Sequence, residues 1–111
     1  MKHDVIIETT ATSDLYGIFS YISDVLMSAE SAQRVYTAVK DKIFLLNTMP
    51  TRFPLVKDEP YASLGVRLMP VENYHVFYII REKNVHVFRI LYHRRNWQNL
   101  LFGGNNHDSL F

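Results

Sequence analysis

The sequence YHVFYIIREKNVHVFRILYH, residues 74–93, decides the fold of this chain. Its two halves, 74–81 and 85–93, are rich in β-branched and aromatic residues, which are typical of strands. The polar segment EKN at 82–84 separates them and is short enough to be a turn. The stretch therefore predicts a β-hairpin.

The register of this hairpin decides which side chains share a face, because strand side chains alternate between the two faces. A turn of two or four residues gives one register, with Tyr78 opposite Arg89, Val76 opposite Leu91 and Tyr74 opposite His93. One face then has no charge at its centre, and we expect helices to cover its residues Phe77, Ile79, Phe88 and Ile90. The other face combines Val76, Ile80, Val87 and Leu91 with a polar and aromatic set, Tyr74, Tyr78, Arg89 and His93.

Upstream of the hairpin, two segments have apolar residues at helical spacing. The first runs from Leu15 to Leu26 after several N-cap candidates at 10–14. The second runs from Ala32 to Leu46 and must end before Pro50. The link between them is short, so we expect a helical hairpin.

The remaining apolar runs complete the sheet. Residues 3–9 predict a first strand, and residues 65–69 predict a short strand closed by Pro70. The order is then β-α-α-β-β-β, an α+β fold with the helical hairpin packed on a mainly antiparallel, twisted sheet. Residues 1–101 are expected to form a single domain, and residues 102–111 a loose C-terminal tail.

Composition excludes several classes of protein. The 111 residues are 48% hydrophobic and 21% charged, which argues against a disordered chain. The absence of cysteine excludes a disulfide scaffold, a cysteine zinc site and a cysteine nucleophile. We find neither a signal-peptide pattern nor an apolar run long enough to span a membrane, so we expect a cytoplasmic protein with no membrane partner.

The formal net charge of +1 conceals an uneven distribution of charge. Residues 65–97 carry six basic and two acidic side chains. A polyanionic partner is therefore restricted to one part of the surface, and long-range attraction to bulk nucleic acid is modest.

The sequence has few motifs of cofactor or metal chemistry. The five histidines show no metal-ligand spacing, and the chain has neither a GxSxG elbow nor a glycine-rich phosphate loop, so we expect no metal and no cofactor. Metal-free RNA cleavage is the one chemistry that the residues could support, because it needs cations and proton-transfer groups. The cations would be Arg67, Arg89, Arg94 and Arg95, and the proton-transfer candidates are His75, Tyr78, Tyr92 and His93.

Motifs spread over residues 5–101 resemble the RelE/ParE superfamily of toxins of type II toxin–antitoxin systems. They are Thr10-Ala11 with Asp14-Leu15, Ile18 and Tyr21-Ile22, then MPTRFPLV at 49–56, GVR at 65–67, NYHVFY at 73–78 and VFRILYHRRNW at 87–97. The resemblance implies a growth inhibitor that a cognate antitoxin protein holds inactive in a hetero-oligomer.

The superfamily contains two kinds of toxin, and the details of this sequence resemble one of them more. RelE-like members cleave mRNA on the ribosome without a metal, whereas ParE-like members inhibit DNA gyrase. This chain has His75 where RelE-like nucleases place an arginine, and Leu100 and Leu101 where they place a tyrosine. The resemblance therefore favours a ParE-like, non-enzymatic toxin acting on gyrase. The alternatives are a ribosome-dependent mRNA endonuclease and a degenerate member that retains only antitoxin binding.

The resemblance and the basic, aromatic character of the hairpin together give candidate site residues. Those expected to contact the target are Arg67, Tyr74, Tyr78, Arg89, Tyr92, Arg94, Arg95 and Trp97. Catalytic candidates for the nuclease alternative are Arg67, His75, Arg89, Tyr92, His93, Arg94 and Arg95. The adjacent pair Arg94-Arg95, flanked by aromatic rings, is the most compact anion-binding group among them.

The helical hairpin has more apolar residues than one buried face requires. Those outside the core stripe are Tyr16, Tyr21, Val25, Tyr36, Phe44 and Leu45. A helix of the antitoxin is expected to bind across them through spaced apolar anchors. The free toxin would then expose apolar surface and be poorly soluble.

Overall fold

A computed structural model describes residues 2–101 as two helices packed on one face of a four-stranded sheet. This confirms the α+β fold class and the order β-α-α-β-β-β. The tail at 102–111 lies outside the described residues. The elements are β1 (Asp4–Ile7), α1 (Thr9–Ser20), α2 (Ala29–Phe44), β2 (Arg67–Val71), β3 (Tyr74–Arg81) and β4 (Asn84–Tyr92). None of the helices in this part of the chain is long and apolar enough to cross a membrane.

The sheet has the strand order β1-β4-β3-β2. β1 pairs with β4 in parallel, and the other two pairs are antiparallel. The central strands β3 and β4 are therefore the hairpin that the sequence predicts. Its turn contains two residues, Glu82 and Lys83, and Glu82 has a φ of 56°.

Strand β2 lies at the edge of the sheet. The sequence predicts that it ends before Pro70, but in the structure it continues through this residue. It includes Pro70 and ends at Val71. Proline lacks an N–H and is tolerated in a strand when its nitrogen points away from the neighbouring strand, as happens at an edge. Pro70 therefore shows that β2 is an edge strand.

The predicted register of the hairpin is wrong for two reasons: its turn lies at Glu82 and Lys83, one residue earlier than that register requires, and β4 contains a β-bulge. Tyr78 pairs with Val87, Val76 with Ile90 and Tyr74 with Tyr92. The bulge inserts Phe88 as an extra residue in β4 opposite the Phe77–Tyr78 step. An extra residue shifts all later pairings and reverses the faces of the side chains beyond it.

Both faces of the sheet are buried, and the predicted helix-covered face is wrong for Phe77, Ile79 and Phe88 but right for Ile90. The helices pack on the face formed by Val76, Tyr78, Val85, Val87 and Ile90, which we call the helix face. Phe77, Ile79, Phe88 and Leu91 lie on the opposite face, together with Val56, Val66, Trp97, Leu100 and Leu101. We call this second surface the loop face, because segments without strands, 53–66 and 97–101, cover it.

The first helix begins earlier than its capping pattern predicts, whereas the second begins at a residue that can cap it. α1 starts at Thr9 after Glu8, ahead of all of the predicted caps at 10–14, and Asp14 lies inside it. One turn of π-helix, Tyr21–Val25, follows α1. Ser28 caps α2 by accepting a hydrogen bond from the Ser31 N–H at 3.2 Å.

Candidate functional site

The end of β4 presents a tight turn that carries the arginine pair. The Arg95 N–H donates to the Tyr92 carbonyl at 2.9 Å, and the His93 N–H donates to the Asn73 carbonyl at 2.8 Å. His93 and Arg94 therefore occupy the centre of the turn, and both are exposed, whereas Arg95 is half-buried. We call residues 92–95 the arginine turn.

Four rings support the arginine turn from both faces of the sheet. On the helix face the rings of Tyr74 and Tyr92 lie 5.9 Å apart, and on the loop face those of His75 and His93 lie 6.2 Å apart. Burial, and then the nearby Tyr92, raises the pKa of Tyr74. Burial, and then the neighbouring His93, lower the pKa of His75.

Trp97 follows the turn and packs against the loop face. Its ring lies 5.2 Å from the ring of Phe77 and 5.5 Å from that of Tyr61. The Tyr61 hydroxyl donates to the carbonyl of Gln98. Residues 97–101 are therefore anchored on the sheet.

Arg89 is 5% exposed and bonds inside the protein. Its Nε lies 2.8 Å from Asp14 Oδ2 and its Nη2 3.0 Å from Asp14 Oδ1, a two-point ion pair. Asp14 Oδ2 also accepts the Ile90 N–H at 2.9 Å, and Arg89 donates to the Leu100 carbonyl. These bonds tie α1, β4 and residues 97–101 together at the bulge.

Tyr78 and Arg67 hold the segment that follows α2. Tyr78 is fully buried on the helix face, and its hydroxyl donates to the Pro50 carbonyl at 2.5 Å. The Arg67 guanidinium donates to the carbonyl of Phe53 at 2.6 Å. Both side chains thus position residues 50–53.

The structure brings together some of the predicted site residues and separates others. Tyr74, His75, Tyr92, His93, Arg94 and Arg95 lie around the arginine turn, with Trp97 beside it. Arg67, Tyr78 and Arg89 do not join them on one exposed face, because the bulge and the two-sided burial place them in internal bonds. Sequence reasoning missed Asp14 as the partner of Arg89. An arginine that is buried in a strand needs a carboxylate as its partner. The positions of the acidic residues along the sequence do not identify which carboxylate that is.

We expect the buried hydroxyl of Tyr78 to make folding pH-dependent in alkali. Burial raises the pKa of Tyr78 to about 12, an effect that Arg67 and Arg52 partly oppose. The folded state thus holds the hydroxyl proton of Tyr78 more tightly than the unfolded state, where the pKa is near 10. The contribution of this protonated hydroxyl to the free energy of unfolding is therefore complete below pH 10 and is lost as the pH rises to 12. The loss should be roughly 2–3 kcal/mol in the free energy of unfolding.

Urea unfolding of the wild type and of Tyr78→Phe between pH 8 and pH 12 measures this effect. The phenylalanine variant should be about 1 kcal/mol less stable at pH 8, because the Pro50 carbonyl loses its donor. The difference should shrink or reverse above pH 11. The control Tyr16→Phe removes an exposed hydroxyl and should follow the wild type. A constant gap across this pH range would contradict the prediction.

The outer side of the helical hairpin has a shallow cavity of about 270 Å³ lined by Tyr16, Phe19, Gln33 and Tyr36. The rings of Tyr16 and Tyr36 stack at 6.5 Å. The other predicted antitoxin contacts are more widely spread. Val25 is exposed beside Leu26 and Met27 before α2, whereas Phe44 and Leu45 are exposed at its C-terminal end, with Tyr21 half-buried. A helix of 16 residues separates the two patches by about 24 Å.

Metal ligation has no support in the part of the chain that the structure describes. In residues 2–101 no three histidine, aspartate or glutamate side chains come together as a metal-binding group.

Comparison with known proteins agrees with this architecture. The ParDE toxin–antitoxin system from P. aeruginosa, a chromosomal one, contains a chain that superposes with a TM-score of 0.67 at 20% identity, over 80% of this chain and 94% of that one. A chain of the toxin–antitoxin complex RelBE2 from Mycobacterium tuberculosis superposes with a TM-score of 0.63 at 21% identity, over 83% of this chain and 99% of that one. No curated protein matches the chain.

The fold therefore places the protein among the small α+β folds represented by these two structures. The family described as the ParE toxin of the type II toxin-antitoxin system, parDE, matches residues 5–97. The chain belongs to this ParE toxin family, which confirms the resemblance to the RelE/ParE superfamily.

Proposed function

We propose that this toxin arrests growth in the cytoplasm by binding DNA gyrase through the arginine turn, and that a cognate antitoxin neutralises it in a hetero-oligomer. The observation that carries the proposal is the contrast among the arginines of the hairpin region. Arg94 is exposed at the tip of a turn that backbone bonds and four rings hold in place. An arginine on a rigid support is a typical anchor in protein–protein interfaces.

The internal bonds of Arg89 and Arg67 argue for binding rather than for RNA cleavage. A metal-free nuclease must place several cations around the phosphate as charge develops. Arg89 is committed to Asp14 and Arg67 to backbone carbonyls, and both lie apart from the arginine turn. The Tyr78 hydroxyl is buried, and its raised pKa makes it a poor proton donor to a substrate. The arginine turn is then the cationic group that remains exposed, and it favours docking on a protein surface.

One observation favours ribosome-dependent mRNA cleavage as the second candidate. His75 has a lowered pKa and lies beside His93 and the arginine turn. A neutral imidazole can accept the proton of a 2′-hydroxyl, and an adjacent imidazole can supply one to the leaving oxygen. This pair would carry the reaction if the target were the ribosome.

The outer side of the helical hairpin is suited to bind a helix of the antitoxin. The cavity between Tyr16 and Tyr36 is almost entirely apolar, and Lys40 lies 5.4 Å from the centre of the Tyr36 ring. A helix with apolar anchors and acidic flanks would match this surface. The solved relatives are described as toxin–antitoxin systems, which supports such a partner.

Two parallel assays of the purified toxin test the proposed function. We expect inhibition of supercoiling by gyrase, no cleavage of mRNA on programmed ribosomes, and recovery of supercoiling when the antitoxin is added in equimolar amount. The double variant His75→Ala with His93→Ala should still inhibit gyrase. Codon-specific mRNA cleavage that this variant abolishes would overturn the proposal in favour of the nuclease.

A further inference from the structure

A cavity of about 320 Å³ lies between the helices and the turn that joins β2 to β3. Residues of both layers line it, among them Ile22, Leu26, Val35, Glu72, Tyr74 and Tyr92. Tyr92 is also the first residue of the arginine turn, so the cavity borders that turn. We propose that this cavity is a second subsite for the protein that binds the arginine turn, and that it takes a carboxamide side chain, asparagine or glutamine, of that protein.

Tyr74 presents an unpartnered hydroxyl to this cavity. The residue is 7% exposed, and within residues 2–101 its ring packs against Tyr92 while its hydroxyl makes no hydrogen bond. The one side-chain nitrogen or oxygen in this range that is sealed off without a partner is His3 Nδ1, so the Tyr74 hydroxyl reaches the cavity. Burial raises the pKa of Tyr74, and the hydroxyl keeps its proton at neutral pH. A group that enters the cavity therefore meets a ready hydrogen-bond donor.

The charges at the border of the cavity balance each other. Arg34 Nη1 lies 2.8 Å from Glu72 Oε1, and both residues line the cavity. The other N–H groups of the guanidinium can donate to a ligand, and the second carboxylate oxygen can accept. A charged ligand group would meet a like charge here, whereas a carboxamide offers an oxygen to Arg34 and an NH₂ to Glu72. The border therefore favours a neutral group that both donates and accepts.

The rest of the lining suits the aliphatic stem of such a side chain. Ile22 and Val35 are buried, and Leu26 is exposed. The volume lies at the lower end of the range of about 300–1,000 Å³ that is typical of ligand pockets. A single amphipathic side chain, with its stem on the apolar residues and its head at Tyr74, matches both the size and the polarity.

The turn between β2 and β3 fixes the cavity relative to the arginine turn. Asn73 lines the cavity, and its carbonyl accepts the His93 N–H at 2.8 Å. A protein anchored on Arg94 would thus present neighbouring side chains to the cavity. The identity of this partner as gyrase rests on the proposed function, whereas the preference for a carboxamide rests on the cavity itself.

A titration with butyramide tests the cavity without any target, because this probe has a carboxamide head and an aliphatic stem. In NMR spectra of the ¹⁵N-labelled full-length toxin, we expect saturable shifts of the backbone amides of Asn73, Tyr74 and Tyr92. Butyrate and butylammonium, which are similar in size but charged, should bind more weakly. Tyr74→Phe should weaken butyramide binding about fivefold, the effect of one hydrogen bond. Equal binding of the three probes, or no saturable shift with butyramide, would overturn the proposal.

Inhibition of supercoiling tests whether gyrase fills the cavity. Tyr74→Phe should raise the toxin concentration for half inhibition about fivefold. Its midpoint of urea unfolding should equal that of the wild type, because the hydroxyl has no partner inside the described chain. Ser13→Ala removes a hydroxyl from an exposed position of α1 and should change neither value.

The outcomes separate this proposal from the proposed function. If the wild type does not inhibit gyrase, the proposed function fails, and the butyramide titration still decides whether the cavity binds a carboxamide. If the wild type inhibits gyrase and Tyr74→Phe inhibits it equally well, the subsite is overturned. Weaker binding of the antitoxin alone by Tyr74→Phe would also overturn it, by assigning the cavity to the antitoxin.

Discussion

Replacing Asp14 by alanine is expected to lower the free energy of unfolding by about 3–5 kcal/mol, the typical cost of removing one partner of a buried ion pair. The Arg89 and Asp14 side chains are 6% and 11% exposed. Alanine at position 14 would leave a buried guanidinium without its counter-charge and the Ile90 N–H without its acceptor. Because domains of this size have about 5–15 kcal/mol in total, such a loss should bring the protein close to unfolding.

Urea denaturation of the purified variants measures this loss. Arg34→Ala is the matched control, because Arg34 pairs with Glu72 at 2.8 Å on the surface, and it should cost at most about 1 kcal/mol. The double variant Asp14→Leu with Arg89→Met removes both charges and should be more stable than Asp14→Ala. If Asp14→Ala cost no more than Arg34→Ala, the pair would not be a determinant of the fold.

Replacing Arg94 and Arg95 together by alanine is expected to abolish growth inhibition while leaving the fold intact. Arg94 is exposed and Arg95 half-buried, and the bond from the Arg95 N–H to the Tyr92 carbonyl, which closes their turn, is a backbone bond that alanine keeps. If each arginine anchors the target, each truncation should cost about 2 kcal/mol of binding, or roughly 30-fold in affinity. The double variant would then bind gyrase roughly a thousandfold more weakly.

Growth after induced expression, gyrase supercoiling and urea unfolding together test this prediction. Lys2→Ala with Lys83→Ala removes the same charge from exposed positions elsewhere and should remain toxic. Arg94→Lys with Arg95→Lys keeps the charge but loses the planar, two-point geometry, so we expect partial activity. Binding of the antitoxin to the double alanine variant should be unchanged. Growth arrest by that variant at wild-type expression levels would show that the arginine turn is not the target surface.

The contacts of Arg89 and Arg94 show how far sequence reasoning extends at the candidate site. The sequence places Arg89 within the second strand of the hairpin and Arg94 just after it, both among aromatic residues, and the structure agrees. The structure gives the two arginines different environments, because Arg89 forms a buried ion pair with α1 and Arg94 is exposed at a turn. The bulge at Phe88 separates these outcomes, and a bulge leaves no clear mark in a strand of alternating large residues.

The order of elements, the hairpin at 74–93 and the family were determined by the sequence itself. Periodicity, breakers and turn residues are local properties, and they act over a few residues along the chain. The strand order, the parallel pairing of β1 with β4 and the partner of Arg89 were decided only by tertiary structure. So was the covering of the second sheet face by residues 53–66 and 97–101. The physical reason is that strands with two apolar faces, such as β3, fit a core in either orientation, and only the competition of distant segments for those faces selects one.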